Sequence, residues 1–420
     1  MLSVAWFLIL EERTPLSRFP RWGKTHRHPY GKDITSPRSS ELFGMISEDA
    51  MQQFFSLQIK RRLEREYLAY DSTSICTFSK ALKLARRGKN KEHDLLDQIH
   101  LALVFGQESR LPVCFRILPG NISDVSTVRN LVRSLVSLGI EKVHLVMDRS
   151  YYSEQNINVL LQQRYKFLIG GKTSLNYVKD AVNEVRHCIG DFSHYHPQLD
   201  VYAATKLLKW QISQVNGEPE FRRVYLHLYY SEQRSTEDRR ALHQKVYKLK
   251  TELETGCRDA SHANLYAHYF IIKAYPKRAI AVTLRKGVLE KEAQYFGYFA
   301  LMTNDVKNAA EALRIYRAKD VAEKAFGNLK ERLGLRRPGV SSDANLPGKI
   351  FVQYIALILC SYIQNIMRKQ ELYQQYSYYS LLDELDVIEY YEHAGTQGYF
   401  GEITKKQQDM YRAFDVSMPK

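Results

Sequence analysis

Cysteine is scarce in this 420-residue sequence. There are five, Cys76, Cys114, Cys188, Cys257 and Cys360, scattered and odd in number. None forms a C-x-x-C pair, so neither a disulfide framework nor a zinc ribbon is suggested, and a reducing cytoplasm suits the chain. Long apolar runs are also lacking. The run Val4 to Leu10 has no basic stretch before it and no small-residue cleavage site after it, which argues against a signal peptide. The run Phe351 to Ile363 has 13 residues, fewer than the ~20 that cross a bilayer. It reads as a buried core helix, and no membrane partner is expected. Gly170-Gly171-Lys172 lacks the G-x4-G-K-[ST] frame, so ATP is not implied. His187, Cys188, His194 and His196 match no zinc spacing and read as an exposed loop. No repeat of fixed period is visible.

Acidic residues are outnumbered. There are 46 Asp+Glu against 61 Lys+Arg, a net charge of +15. Such an excess favours a polyanion, because each phosphate neutralised by a cation releases counterions. Apolar residues at 45% and charged residues at 25% are ordinary for a globular protein. The length allows two or three domains of roughly 100–200 residues.

Residues 1–66 read as a basic and helical region, with an irregular arm over 11–40 rich in Arg, Lys, His, Pro and Ser. Leu42, Ile46, Met51, Phe54, Phe55, Ile59 and Leu63 then recur at helical spacing. Over 67–171 the pattern predicts strands at Tyr67–Asp71, His100–Phe105, Leu111–Leu118, Lys142–Met147 and Lys166–Ile169, with helices at Asp124–Leu138 and Glu154–Arg164. A meander followed by β-α alternation points to an α/β sheet covered by helices. Residues 172–295 break that rhythm. They read as a β-rich insertion that leaves the core sheet intact, with strands at Val224–Tyr230 and Tyr269–Ala274 and a helix at Glu232–Leu253. The core resumes over 296–368 with a strand at Phe296–Thr303, a long helix at Ala309–Leu333 and the buried helix Lys349–Arg368. A Tyr-rich helical tail follows over 369–420.

Two acids, Asp71 and Asp148, are placed at strand ends, where groups of an open sheet face a shared crevice. Each could equally start a turn or cap a helix. A third, Glu323, shares a predicted helix with Tyr316, Lys319 and Lys330. Two turns take about 7.2 residues, so Tyr316, Glu323 and Lys330 return to one face. A solvated face with a Lys319–Glu323 ion pair gives the same pattern. Three carboxylates together suit two hard divalent ions, which prefer oxygen donors and can activate a water or a 3′ hydroxyl. The cations Lys324, Lys330, Arg332, Arg336 and Arg337 beside Glu323 suit a DNA backbone better than a generic solvated charge. Tyr373, Tyr376, Tyr378 and Tyr379 suit core packing or an interface better than base stacking.

These residues resemble a family. The pattern Y-x2-[RK]-x3-E-x6-K, here Tyr316, Lys319, Glu323 and Lys330, is similar to the DDE transposases of the bacterial insertion-sequence four superfamily, with wording nearest its sixteen-thirty-four branch. EYLAYDSTSI, PGNISDVSTV, DRSYYSEQNI, FLIGGK and YRAKDVAEKAFGNLKERLGLRRP carry the likeness, which runs from about residue 34 onward. It implies a ribonuclease-H-like mixed sheet flanked by helices, with an insertion between the second Asp and the Glu. It implies Asp71, Asp148 and Glu323 as catalytic metal ligands for two Mg²⁺ or Mn²⁺ ions, and transposon-end contacts by Tyr316, Lys319 and Lys330. The implied reaction is cleavage at terminal inverted repeats and strand transfer into target DNA, by a homodimer in the synaptic complex, in the bacterial cytoplasm at the nucleoid. Lys319 stands where the family usually has Arg, which alone holds a phosphate in two bonds. Ser150 stands where a Gly or Ala is common. Residues 1–66 are shorter than the family's usual DNA-binding region and read as a truncated form of it. A nuclease that does not join, or an idle DNA-binding remnant, remain the competing readings.

Overall fold

The computed structural model describes every residue except 62–65, 89–95, 141, 213–219, 276–277, 393–397 and 420. It forms two compact units, Met1–Val143 with Ala318–Lys420, and His144–Arg317.

The first unit opens with α1 (Leu2–Leu10), α2 (Phe19–Trp22), α3 (Ser36–Met45) and α4 (Glu48–Lys60). The expected irregular arm is therefore partly helical. The reason is aromatic: Phe7, Phe19 and Trp22 are buried with ring centroids 5.3–5.6 Å apart, and such rings pull even a basic segment into a core. The α4 helix follows its sequence signals. Ser47 caps it by accepting from the Ala50 amide, and Met51, Phe55 and Ile59 form its buried stripe. Leu63, the last residue of that pattern, lies outside the described residues.

Three antiparallel strands follow, β1 (Tyr67–Thr77), β2 (Asp97–Gly106) and β3 (Pro112–Pro119), in the order β3-β2-β1. The strand expected to end at Asp71 runs six residues further. Ser72, Thr73, Ser74 and Thr77 look like turn residues, yet all are buried and in register with β2. Asp71 is thus mid-strand, opposite Leu103. Helix α5 (Asp124–Ser137) buries Thr127, Val128, Leu131, Val132 and Leu135.

The second unit begins with a parallel step, β4 (His144–Met147), α6 (Glu154–Gln162) and β5 (Lys166–Gly171). Then come α7 (Asn176–Val185), β6 (Tyr195–His196), β7 (Val201–Ile212), β8 (Glu220–Tyr230), α8 (Glu232–Glu254), α9 (Ala263–Tyr269), β9 (Phe270–Tyr275), β10 (Arg278–Leu284), α10 (Val288–Ala293), β11 (Tyr298–Thr303) and α11 (Ala309–Arg317). Within this unit the sheet order is β4-β5-β11-β8-β7-β6, parallel between β4 and β5 and antiparallel elsewhere. It is a mixed sheet flanked by helices.

This arrangement corrects one expectation. Residues 172–295 do not leave the core sheet alone, because β8 pairs with β11 from Tyr225 to Tyr230. The cause is visible in β8. Leu226 and Leu228 are buried, His227 bonds Thr205 Oγ1 and the Val306 carbonyl at 2.9 Å each, and Tyr229 donates to the Ala309 carbonyl at 2.8 Å. Its partner β7 gives no alternating apolar signal in the sequence, because apolar Leu207 shares the exposed face with Lys209 while Lys206 lies on the other face with Leu208. The rest of the segment packs α8 and α9 into a small core of Leu242, Val246, Leu249, Leu253, Tyr266 and Tyr269 under β9 and β10.

The chain returns to the first unit through α12 (Asp320–Gly327), α13 (Asn345–Lys369), α14 (Tyr378–Asp386) and α15 (Lys405–Ala413). The single helix expected over Ala309–Leu333 is broken. Tight turn bonds, Val321 amide to Ala318 carbonyl at 3.4 Å and Ala322 amide to Lys319 carbonyl at 2.9 Å, separate α11 from α12. A wider π turn over Asn328–Arg332 then closes with the Leu333 amide on the Asn328 carbonyl. The α13 helix is 25 residues, longer than its apolar run suggested, and is long and apolar enough to cross a membrane by length and composition. Its apolarity is used inside the unit. Phe351 and Tyr354 pack with Phe54, Phe55 and Phe115 at 5.2–6.3 Å between centroids, and the Tyr354 hydroxyl donates to the Pro112 carbonyl.

Burial divides the thiols. Cys76 on β1, Cys114 on β3 and Cys360 on α13 are buried, whereas Cys188 and Cys257 are exposed. Burial pushes the Cys114 thiol up to about 12 and the Cys360 thiol to about 11, so both stay protonated at neutral pH, and the thiolate is the reactive form. Iodoacetamide at pH 7.5 should alkylate Cys188 and Cys257 in the native protein and all five cysteines in urea. Native labelling of Cys114, read by peptide mass spectrometry, would refute the packing of β3.

Candidate active site

In the first unit, Asp71 is half-buried on β1 and its Oδ1 accepts from the Ser72 amide at 2.8 Å. The Ser72 hydroxyl turns to Asp124, the first residue of α5, at 3.0 Å. Helix α12 packs against β1 and β2 with Ala322, Ala325 and Phe326 buried. Two alanines let the helix approach the strands closely, and the opposite side carries Glu323 into solvent, its side chain 60% exposed. Lys319 Nζ lies 3.7 Å from Glu323 Oε1. Lys319 is largely covered and Glu323 exposed, and an i,i+4 pair of this kind contributes about 0.3–0.5 kcal/mol, weak enough for Glu323 to exchange it for another partner.

The broken helix changes the geometry read from spacing. Tyr316 ends α11 in the second unit, while Lys319, Glu323 and Lys330 belong to the first. The four do not share one straight helical face, because the turn at Ala318 and Lys319 and the π turn both interrupt the period.

In the second unit, Asp148 directly follows β4 and its backbone carbonyl accepts from Tyr151 to begin a 3-10 turn. Its Oδ1 accepts a hydrogen bond from the Tyr316 hydroxyl at 2.6 Å. Tyr316 reaches this position because Ala310, Ala312 and Leu313 seat α11 against the sheet. Burial, and then the hydrogen bond to Asp148, push the Tyr316 phenol well above the usual tyrosine range. It therefore remains a proton donor to the carboxylate at all ordinary pH.

Sequence reasoning missed Gly170. A Cβ on this β5 residue would lie 2.7 Å from the Tyr316 hydroxyl, 2.8 Å from the Arg149 amide nitrogen and 2.9 Å from Arg149 Cβ. The glycine leaves the gap through which the phenol meets Asp148. Its sequence signal is the paired glycine of the FLIGGK segment.

The basic residues differ in their commitments. Arg336 is exposed, and Lys330 is half-buried in the π turn. Arg332 is half-buried with its guanidinium 5.1 and 4.7 Å from the Tyr378 and Tyr379 ring centroids. The Tyr378 hydroxyl donates to Cys360 Sγ at 3.0 Å, so this part of the tyrosine run is packing. Arg337 lies 5.5 Å from the Phe78 ring centroid.

Among the described residues, no three or more His, Cys, Asp or Glu side chains gather as a metal-binding group. The carboxylates at Asp71, Asp148 and Glu323 nonetheless fit hard divalent ions in kind. They offer oxygen donors, all three reach solvent, and Mg²⁺ retains water alongside one or two carboxylates.

The chain belongs to the transposase DDE domain family, whose model matches residues 62–359. Among curated proteins none matches. Solved structures similar to it include a piggyBac transposase synaptic complex with hairpin DNA, 8% identical over 87% of this chain and 75% of that one, with a TM-score of 0.36. Another is the Drosophila P element transposase strand transfer complex, 13% identical over 78% of this chain and 80% of that one, with a TM-score of 0.15. Likeness at that level adds nothing to the family assignment.

Gly170→Ala should lower stability by about 1–3 kcal/mol, the usual cost of overpacking. Tyr316→Phe should recover part of that loss in the double variant, because the phenol oxygen is one of the atoms displaced. Urea unfolding of the two single variants and the double variant tests it. Strictly additive costs would mean that the glycine and the hydroxyl do not meet.

Proposed function

We propose that this chain is a cut-and-paste transposase in which Asp71, Asp148 and Glu323 supply the carboxylates for two Mg²⁺ or Mn²⁺ ions. The observation that carries the reading is the family match over residues 62–359, which spans all three acids and the cations after Glu323. The meander β1-β2-β3 and the parallel step β4-α6-β5 are the pieces that a ribonuclease-H-like core requires, and they support that fold. The Y-K-E-K residues favour the insertion-sequence four superfamily and its sixteen-thirty-four branch.

Divalent ions held by these carboxylates would supply activation of a water or a 3′ hydroxyl and stabilisation of the leaving oxygen of a phosphodiester. The chain's own groups have distinct tasks. Tyr316 fixes the direction of one Asp148 oxygen and holds its proton throughout. Lys319, with its Nζ 3.7 Å from Glu323 Oε1, balances part of the charge of Glu323. Lys330, Arg332, Arg336 and Arg337 track the DNA backbone, with Lys319 beside them. The DNA partners are transposon ends and target duplex, bound by a homodimer in the synaptic complex, in the bacterial cytoplasm at the nucleoid.

Glu323→Gln should abolish cleavage of end DNA while leaving binding equal or tighter, because an amide of the same shape lacks the charge that holds a hard dication. Lys330→Ala should weaken binding and reduce the salt slope by about one unit. Paired gel-shift and cleavage assays with Mg²⁺ across a salt series read both. Full cleavage by Glu323→Gln removes the triad. Cleavage without strand-transfer product in the wild type would make the protein a nuclease, and binding without cleavage would make it an idle remnant.

A further inference from the structure

A cavity of about 410 Å³ lies within the second unit, lined from the turn after α7, the first part of α8 and the stretch joining α10 to β11. That size falls in the ~300–1,000 Å³ range of small-ligand sites. Arg186 and His187 follow α7, and Arg239 stands on α8 one turn after Ser235. Ile189 and Phe296 add apolar surface. Tyr230 and Tyr298, paired across β8 and β11 with ring centroids 5.0 Å apart, complete the wall.

No carboxylate is among the lining residues. Three acids close to them in sequence are engaged elsewhere. Glu184 pairs with Lys206 at 2.6 Å, Asp238 Oδ2 accepts from the Gly297 amide at 3.0 Å, and Glu292 meets the His268 ring and the Tyr269 hydroxyl at 3.0 and 3.1 Å. The Arg186 guanidinium is placed instead by a neutral group. Its Nη1 donates to Gln294 Oε1 at 2.9 Å, and Gln294 Nε2 is itself fixed on the Lys291 carbonyl at 2.9 Å. That contact uses one guanidinium nitrogen and leaves further N–H donors for a ligand. Burial raises the Tyr298 phenol above its usual range, so it stays a donor at neutral pH. A preshaped site loses less freedom when it is filled.

We propose that this cavity binds a phosphate monoester, its oxygens held by Arg186 and Arg239. At neutral pH such a group carries a charge of about −1.5 to −2, which matches two guanidiniums. A guanidinium holds phosphate oxygens in two parallel hydrogen bonds. A carboxylate offers two oxygens in one plane, whereas a tetrahedral phosphate suits donors that come from α8, from the turn after α7 and from β11. A concave site also takes a group that ends a molecule better than a duplex backbone that must run past it. A free nucleotide and a 5′-phosphorylated strand end both carry that group. The site stands on its own lining and does not depend on the metal-ion chemistry proposed above.

Calorimetric titration of the full chain with adenosine 5′-monophosphate and with adenosine tests the site. The monophosphate should bind about ten-fold more tightly or better, the scale of one charge-assisted hydrogen bond. Arg186→Gln and Arg239→Gln should each remove most of that advantage and leave adenosine unchanged. Arg240→Gln takes the same charge from an exposed neighbour outside the lining and should leave monophosphate affinity unchanged. A short single strand with a 5′ phosphate, measured against the same strand with a 5′ hydroxyl, separates the two sources. A preference for the phosphorylated strand that Arg239→Gln removes supports a strand end, and monophosphate binding without that preference supports a free nucleotide. Equal wild-type affinity for the monophosphate and adenosine overturns the site, as do equal losses in Arg239→Gln and Arg240→Gln. Either result leaves the triad standing, since the cleavage assay reads it separately.

Discussion

A carboxylate that must stay charged and aimed has to be held by donors, because burying it unpaired costs several kcal/mol. The second unit is arranged around that constraint at Asp148. The acid sits just past β4, and the Tyr316 phenol fixes one of its oxygens. That phenol depends on α11 being seated on the sheet and on Gly170 presenting no side chain. A hydroxyl is the suitable donor, since it orients the oxygen without the full positive charge that would compete with a cation.

The first unit meets the same constraint differently. Asp71 takes a donor from its own strand, the Ser72 amide, and the neighbouring hydroxyl is tied away to Asp124. Glu323 is left in solvent with a lysine one turn before it. Exposure keeps its desolvation cost low, and the weak pair keeps it exchangeable.

Much of the fold was legible because it follows period. The α5, α6, α8 and α13 helices, β2 to β5, β8 and β11 all appear where apolar spacing placed them, within a few residues. The misses have physical causes. Buried hydroxyls extended β1 beyond Asp71, because serine and threonine satisfied by ladder and side-chain bonds look like turn formers in a sequence. The β7 strand was hidden because charged and apolar residues are mixed on both of its faces, Lys209 with Leu207 and Lys206 with Leu208. The turn at Ala318 and Lys319 contains neither proline nor glycine, so the sequence showed nothing to break the helix there, whereas Gly327 stands just before the π turn. At the candidate site, Asp148 beside Tyr316 was readable only as two members of a motif. Their hydrogen bond spans 168 positions and depends on a third residue whose contribution is the absence of an atom.

Charge shows the same limit of composition. The excess of +15 suggested a polyanion, yet it does not say which cations can reach one. Arg332 lies over two tyrosine rings of the tail, and Arg13 pairs with Glu331 at 2.8 Å. An arginine stacked this way has its planar faces covered by apolar surface and must give up those contacts before it can grip a phosphate. Arg336 carries no such cost, since it stands exposed. A basic run in a sequence is therefore two populations in the fold. One joins the π turn to the tyrosine tail and the N-terminal segment, and the other faces the solvent through which DNA would arrive.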